Sequence, residues 1–228
     1  ILQAERRIRV LAEVNRDAGP LTLETTNATA QAGDGIAIEA PLAVLGDLRL
    51  RSAGDITQLD DGARIDATTL FAESRGGNVR LEAFGNLILA LDGGFAAGRF
   101  DIVSATAFAV DAPIEAGALR LTSLGGIALF SPVSVSGTAE LVSLGFDGIT
   151  QAASGAGLAA GTLMLESPFA EIRLNGAGNR IAALGDSSAP SGLTLRNAQA
   201  LRIDGTLNGL DAAASITLDS GDLTQGIN

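Results

Sequence analysis

The side chains in this sequence that could perform acid–base chemistry are almost all carboxylates. The chain has 26 Asp and Glu residues and 15 basic residues, all of them Arg, and it contains no His, Cys, Lys or Tyr. A pair of carboxylates can hydrolyse a glycosidic bond when the two groups lie roughly 5 to 10 Å apart. One candidate carboxylate pair is Asp60 with Asp61. Two further candidate sites combine a carboxylate with an Arg: Asp66 with Arg64, and Glu82 with Arg80.

These charged residues fit turns and solvated strand faces better than an active site. Asp60 and Asp61 belong to "LDDGA", an ordinary turn sequence, and neighbouring residues of a strand point to opposite faces of a sheet. The other two candidate pairs alternate in charge, as residues on a solvent-exposed face do. We therefore predict a protein without catalytic residues.

Calcium and phosphate sites are not predicted either. Calcium binds carboxylates and backbone carbonyls, which "AGDGIAIEA" at 32–40 and "QLDDGARID" at 58–66 could supply. The calcium-binding repeat G-G-x-G-x-D-x-U-x does not occur as a series, and "GFDGIT" lacks the Lys and the following helix of a phosphate loop. These glycine-rich stretches therefore predict corners, and we predict no metal-binding or cofactor-binding residues.

Charge and hydropathy argue against several kinds of partner. The formal net charge of −11 at pH 7 opposes binding to nucleic-acid phosphates and to anionic lipid. Apolar runs such as "LILALDGGFAAG" are far shorter than the roughly 18 residues that span a bilayer. We predict no nucleic-acid partner and no membrane insertion.

Phenylalanine is the sole aromatic residue type, with eight copies. Carbohydrate binding by ring stacking usually uses Trp or Tyr, which are absent. The wide spacing of the Phe residues predicts that most of them fill the core. Phe130 and Phe169 adjoin Ser-Pro sequences, and we predict that these two lie on outward loops as an apolar partner surface.

Alternation of apolar and polar residues predicts short β-strands along the whole chain. "RIRVLAEV" places Ile8, Val10, Ala12 and Val14 on one face, and "LRLRS", "VRLEA", "EIRLN" and "SITLDS" repeat this two-residue period. Gly, Asn, Asp and Pro end the runs after four to seven residues, as tight turns require. The alternative for "AERRIRVLAEVNRD" is a short amphipathic helix, because Ala, Glu and Arg favour helices.

A recurring strand of the form Leu-x-Leu predicts the architecture. Its copies are 22 to 40 residues apart, a spacing typical of solenoid coils and unexpected in a β-sandwich. We predict an all-β fold, one continuous single-stranded parallel β-helix over residues 1–228 that is a fragment of a longer chain. Its roughly ten coils would span on the order of 50 Å at about 4.8 Å per coil. The copies begin at Leu21, Leu48, Val79, Leu119, Leu141, Leu163, Leu193 and Ile216.

One short phrase recurs three times, as "LRLRSAGDITQ", "LVSLGFDGITQ" and "ITLDSGDLTQ". Asp55, Asp147 and Asp222 are predicted at or beside a bend, followed by an inward Ile56, Ile149 or Leu223 and then by Thr-Gln. The three copies are separated by 93 and 74 residues, so they do not lie on successive coils. We predict a structural role, in which Gln forms hydrogen bonds along the stack, over a row of ligand contacts.

The motifs "N-x-I-x-x-L-G" at Asn179–Gly185 and "L-x-L-x-x-x-x-x-L-x-I-x-G" at Leu193–Gly205 carry a family likeness. With them, the stretch Gly176–Gln225 resembles the repeats of filamentous-haemagglutinin-type exoproteins, which are bacterial surface proteins exported by two-partner secretion. The resemblance implies a right-handed β-helix, secretion to the cell surface, an outer-membrane secretion partner and an adhesive or filamentous role. No functional residue of that family maps onto this sequence.

We predict the non-catalytic structural shaft of a secreted bacterial surface adhesin, with no cofactor and an unknown surface or glycan receptor. One alternative is a self-assembling extracellular filament subunit whose coils associate end to end. Another is a polysaccharide-processing β-helix enzyme. Asp and Glu side chains that converge from neighbouring coils on one groove would favour the enzyme, and outward scatter would count against it.

Overall fold

The computed structural model describes residues 1–208 and 215–225, and almost all of its secondary structure is β-strand. In this part of the chain the one helical element is a three-residue 3-10 turn, Asp61–Ala63, and no helix has the length and apolar character to cross a membrane. The strands are β1 Leu2–Ala4, β2 Arg7–Val10, β3 Val14–Arg16, β4 Leu21–Thr25, β5 Gly35–Ile38, β6 Leu42–Ser52, β7 Asp55–Gln58, β8 Ile65–Ser74, β9 Val79–Leu81, β10 Leu87–Ser104, β11 Phe108–Ser123, β12 Ile127–Leu129, β13 Val133–Ser143, β14 Ile149–Gln151, β15 Leu158–Glu166, β16 Ile172–Leu174, β17 Arg180–Ser188, β18 Leu193–Arg196, β19 Leu201–Ile203, β20 Leu207–Asn208, β21 Ile216–Asp219 and β22 Leu223–Gln225.

The strands form a parallel β-solenoid of about ten coils, as the sequence predicts. One column of inward side chains contains a residue from every coil, and we call the sheet that carries it the first face. Its members are 19 to 28 residues apart in sequence, so the corners absorb the differences in coil length. The column is Ile8, Ile36, Ile56, Val79, Phe100, Leu119, Ala139, Leu163, Leu184 and Ile203.

Two further columns define the second and third faces, which follow the first face in chain order within each coil. The second face carries Phe108, Ile127, Ile149, Ile172, Leu193 and Ile216. The third face carries Leu50, Ala72, Gly94, Ile114, Val133 and Leu158. Branched aliphatic side chains from the three faces fill the core, and most of them are fully buried.

The one large ring on the first face shows how tightly the coils are packed. Phe100 is fully buried, and a Cβ atom added at Gly94 on the third face would lie 2.5 Å from its ring. Gly94 therefore leaves the space that the ring of Phe100 occupies. The neighbouring coils combine smaller first-face residues, Val79 and Leu119, with Ala72 and Ile114 on the third face.

The structure corrects two details of the sequence prediction. The Leu-x-Leu strands belong to several columns, because Leu48 pairs with Leu70, whereas Leu119 pairs with Phe100 and Leu193 with Ile172. Some strands are also longer than the predicted four to seven residues, since β10 has 18 and continues around corners with shifts in its pairing register. The helix alternative is wrong, because "AERRIRVLAEVNRD" contains β2 and β3.

The first two copies of the recurring phrase lie on different faces. Ile56 stacks in the first-face column and Ile149 in the second, and both are fully buried, as predicted. Leu223 pairs with Leu201 but is 52% exposed, so its predicted burial is wrong. No strand in the described ranges pairs with the other edge of Leu223, and residues 209–214 and 226–228 of the predicted segment lie outside those ranges.

The Gln of the first copy forms a buried hydrogen-bonded cluster with an Asn that lies 28 residues later. Gln58 Nε2 donates to Asn86 Oδ1 at 2.7 Å, and Asn86 Nδ2 donates to Gln58 Oε1 at 3.0 Å. Both side chains also bond the backbone of three coils, at Ala63 O, Ile65 N, Leu81 O, Ala83 N and Val103 O. Asn86 has no exposed surface. Its hydrogen bonds satisfy backbone groups that a tight corner would otherwise leave unpaired.

An equivalent cluster forms around the second copy of the phrase. Gln151 Nε2 donates to Asn179 Oδ1 at 2.7 Å, and Asn179 Nδ2 donates to Gln151 Oε1 at 3.0 Å. The backbone partners are the matching atoms 93 residues later: Ala156 O, Leu158 N, Leu174 O, Gly176 N and Arg196 O. The structure thus confirms that Gln acts along the stack, and we call each set a Gln–Asn cluster.

The two Gln–Asn clusters mark an internal repeat of 93 residues. From Ile56 to Leu91, 17 of 36 positions hold the same residue 93 positions later. The repeat moves Ile56 from the first face to Ile149 on the second, and Ile65 to Leu158 on the third. One repeat therefore advances the solenoid by about four and a third coils, with about 4.8 Å per coil.

Replacing either cluster Asn should destabilise the solenoid far more than replacing an exposed Asn. We expect Asn86→Ala and Asn179→Ala each to lower the free energy of unfolding by about 2 to 4 kcal/mol, because buried backbone groups and Gln lose their partners. Urea unfolding followed by circular dichroism measures this change. Asn175→Ala is the matched control, since Asn175 is exposed in the turn beside Asn179. Equal effects of Asn175→Ala and Asn179→Ala would contradict the assigned role.

Candidate functional site

Three of the carboxylates singled out from the sequence stabilise turns. Asp60 Oδ1 accepts a hydrogen bond from the backbone N of Gly62 at 2.8 Å, and Asp61 Oδ1 accepts one from Phe84 N at 2.8 Å. Asp55 Oδ1 accepts bonds from the backbone and the side chain of Asn78. Each of these carboxylates caps backbone groups at a corner.

The charged pairs considered from the sequence are not brought together. In the described part of the chain, no hydrogen bond or ion pair joins Arg64 to Asp66 or Arg80 to Glu82. The register instead pairs Arg120 with Glu140 in the next coil, and their side chains are 3.4 Å apart. Outward charges thus alternate between coils, as the sequence indicates for solvated faces.

Asp34, in the sequence considered for calcium, is already fully engaged. Its carboxylate accepts bonds from Arg6 Nε and Asn27 Nδ2, each at 2.8 Å, and from Gln31 N at 2.9 Å. Among residues 1–208 and 215–225, no group of three or more acidic side chains is placed to hold a metal ion. Asp34 therefore anchors the long loop between β4 and β5 to Arg6.

Asp101 is the carboxyl group whose environment is most unusual. It lies on the outer side of the first face between Arg80 and Arg120, and its side chain is 3% exposed. One oxygen bonds Arg99 Nε, while Oδ1 has no hydrogen-bond partner in the structure. Burial raises the pKa of Asp101, and the negative charge of Glu82 contributes to the increase. A perturbed carboxyl group is a typical feature of active sites, but this one is covered by its neighbours.

The phenylalanines do not all fill the core as predicted. Phe100 and Phe108 are buried, and Phe71 is half-buried beneath the guanidinium groups of Arg49 and Arg51. Phe84, Phe95 and Phe146 are exposed, so the core prediction is wrong for these three. Phe130 and Phe169 are exposed as predicted, but they lie on different corners and form no common patch.

Many of the exposed apolar side chains lie on one corner of the solenoid. This is the first corner, where the chain turns from the first face to the strand that follows it. Phe146 and Phe169 are stacked there in adjacent coils, with ring centroids 5.5 Å apart. We call these residues the apolar ridge: Leu11 (64% exposed), Leu59 (65%), Phe84 (56%), Leu124 (39%), Phe146 (83%) and Phe169 (57%).

Acidic residues accompany the apolar ridge. Each ridge residue except Leu124 has a carboxylate within two positions of it in sequence. These carboxylates are Glu13, Asp60, Asp61, Glu82, Asp147 and Glu171. Glu171 is paired with Arg173, and all the others are exposed. The first corner therefore combines apolar and negatively charged surface.

A shallow groove of about 260 Å³ adjoins the ridge on the second face. Its walls include Leu89, Ala107, Ala109 and Ala128, and Asp147 lies at its edge beside Phe146. The groove therefore adjoins the ridge at Asp147, the residue that follows Phe146.

The exposure of the ridge residues could have been predicted from the turn residues that flank them. Phe146 and Phe169 lie in "GFDG" and "PFAE", where Gly, Pro and a carboxylate indicate a turn. A large apolar residue inside a turn is exposed unless another segment covers it. The Gln–Asn clusters likewise had a signal, because "ITQ" is followed by "GN" at the same distance in both copies.

Comparisons with known proteins identify a repeat family. The family model described as Repeats of unknown function (DUF5649) matches residues 14–91 and 116–185, together 148 of the 228 residues. The two matches end 94 positions apart, close to the 93-residue repeat. Neither a curated protein nor a solved structure matches the chain. None of these comparisons concerns filamentous-haemagglutinin-type exoproteins, so that resemblance stays a prediction.

Two carboxylates should have opposite effects on the pH dependence of stability. The bond from Arg6 lowers the pKa of Asp34, so its stabilising contribution is present above the unfolded value of about 3.9 and is lost as pH falls through the folded pKa. Asp101, with its raised pKa, destabilises the neutral-pH fold, and acidification through that pKa relieves this effect.

We therefore expect Asp101→Asn to raise the free energy of unfolding at pH 7, with a gain that shrinks as pH falls toward about 4. Asp34→Asn should lower it at pH 7, and the loss should shrink at pH values below about 4. Urea unfolding across a pH series measures both differences. The same sign for both variants at pH 7 would contradict the assignment.

Proposed function

We propose, for a chain that belongs to the family of Repeats of unknown function (DUF5649), the role of a non-catalytic rod-like shaft in a bacterial surface protein. The observation that carries this proposal is the 93-residue repeat with its two matching Gln–Asn clusters. The matched stretches 56–91 and 149–184 make the same hydrogen bonds to neighbouring coils through their Gln–Asn clusters. A repeat of this kind adds length to a rod without changing how its coils pack.

The outer faces support a spacer role. Outward charges alternate between coils, as in the pairs Arg9–Glu39 and Arg120–Glu140, and they keep the sides of the rod hydrated. Asp60 and Asp61 cap turns, which counts against these two carboxylates as a catalytic pair. Glu140, Glu166 and Asp186, from three successive coils, line one groove of about 190 Å³, and this is the feature that favours the polysaccharide-processing alternative. In this proposal the rod holds binding regions of the same protein away from the cell.

The proposed location is the bacterial cell surface, after export through an outer-membrane secretion partner. Support for this part comes from the resemblance of Gly176–Gln225 to filamentous-haemagglutinin-type repeats. The acidic surface, with a net charge of −11, fits a soluble extracellular rod whose copies repel one another. The receptor of the whole protein would contact other regions of it.

A tandem duplication of one repeat should lengthen the rod without unfolding it. Inserting a second copy of residues 56–148 after Gly148 adds about four and a third coils, or roughly 21 Å at 4.8 Å per coil. Small-angle X-ray scattering measures the maximum dimension, which we expect to grow by that amount from about 50 Å. A duplication of residues 56–143 is the control, because it breaks the register by five residues and should destabilise the fold. A compact particle, or equal tolerance of both insertions, would contradict the proposal.

Surface display can be tested on intact cells that produce the full-length protein. We expect added protease to cleave this region on intact cells, and we expect the region to stay inside cells that lack the outer-membrane partner. Immunoblots with an antibody to this region follow both outcomes, with a cytoplasmic enzyme as the control for lysis. Protection from protease on cells that have the partner would contradict the surface location.

Negative-stain microscopy of a dilution series would separate isolated rods from filaments that associate end to end.

A further inference from the structure

The apolar ridge follows the corner of the solenoid and not the sequence repeat. Because a repeat rotates by a third of a turn, a residue inherited from the repeat would move to another corner in the next copy. The positions 93 residues away from Leu59, Phe84, Phe146 and Phe169 hold only small residues: Ala152, Ala177, Ala53 and Gly76. The large apolar side chains therefore lie on one corner in six of the first eight coils, which repetition alone does not produce.

The apolar ridge has the dimensions of a docking surface for a polypeptide segment. It runs from the first coil, at Leu11, to the eighth, at Phe169, which is seven coil steps or roughly 34 Å. A helix of about 22 residues covers that length, and its pitch of about 5.4 Å is close to the coil spacing. The rings of Phe146 and Phe169 are separated by a similar 5.5 Å.

The charges beside the apolar ridge indicate which kind of polypeptide segment would bind there. The turns that carry Leu59, Phe84, Leu124, Phe146 and Phe169 contain five carboxylates and one Arg, Arg64. Such a border attracts Lys and Arg side chains and repels acidic ones. A second copy of this chain carries the same acidic border, a net charge of −11 and no Lys, and anionic lipid is repelled for the same reason.

We infer that the apolar ridge binds a cationic amphipathic polypeptide segment of a partner protein. Leu or Phe side chains of the segment contact the ridge and the groove beside Phe146, while its Lys or Arg side chains pair with Glu82 and Asp147. This inference is independent of the shaft proposal. A shaft would function without the apolar ridge, and the ridge would bind its segment even in a solenoid that is not part of a long rod.

The test uses a fluorescently labelled 18-residue helical peptide of Leu and Lys with one apolar face. Fluorescence anisotropy measures its dissociation constant for the full chain, and a Leu/Glu peptide and a Ser/Lys peptide of equal length are the controls. We expect binding of the Leu/Lys peptide alone, weakening as salt is added. Binding of the Leu/Glu peptide at equal strength would overturn the role of charge, and binding of the Ser/Lys peptide would overturn the apolar contact.

Variants place the binding on the ridge. The double variant Phe146→Ser/Phe169→Ser should weaken binding at least tenfold, whereas Phe130→Ser, at a residue 56% exposed on another corner, should leave it unchanged. Glu82→Gln/Asp147→Asn should weaken binding, and Glu115→Gln on the third face should not. All these residues are exposed, so the folded state should persist, and circular dichroism confirms that it does. Equal losses with the ridge and control variants would overturn the inference, as would a self-association that the ridge variants abolish.

Discussion

Backbone hydrogen bonds between successive coils constrain every other feature of this protein. Each strand must lie in register with the strand one coil earlier and one coil later, at a spacing of about 4.8 Å. Inward side chains are therefore stacked in columns, and a residue can be large only if another face gives up space. Phe100 and Gly94 are the clearest case, because the ring fills the volume that any side chain at position 94 would need.

Differences in coil length are accommodated at the corners, because the strands must stay in register. Coil lengths vary between 19 and 28 residues, and the corner loops contain nearly all of this variation. Turns leave backbone N–H and C=O groups without strand partners, and burial of such groups is costly. The Gln–Asn clusters meet this requirement with two side chains that reach across three coils, so a single Asn at 0% exposure organises several corners.

The architecture could be predicted from sequence, but the assignment of residues to faces could not. Alternation such as "LRLRS" at 48–52 reveals a strand and its inward side chains, because that pattern is local. It does not show which face a strand occupies, since Leu48, Leu119 and Leu193 have the same local pattern and lie in different columns. Phe146 was mistaken for a core residue because its exposure depends on its place in a turn, and Asp101 gave no local sign that neighbouring coils would cover it.

The third-of-a-turn rotation gives longer arrays of such repeats a surface geometry of their own. Any group borne by the repeat itself would reappear displaced around the rod by about 120° and would return to the same side after three repeats. Those three repeats comprise 279 residues and thirteen coils, or roughly 62 Å at the usual strand spacing. Repeat-borne features would thus wind around the rod as a sparse helix visible from every direction. A feature confined to one side, such as the apolar ridge, requires substitutions that differ from repeat to repeat. The residues that place such a feature on one side of the rod are therefore not the residues that the repeat conserves for the fold.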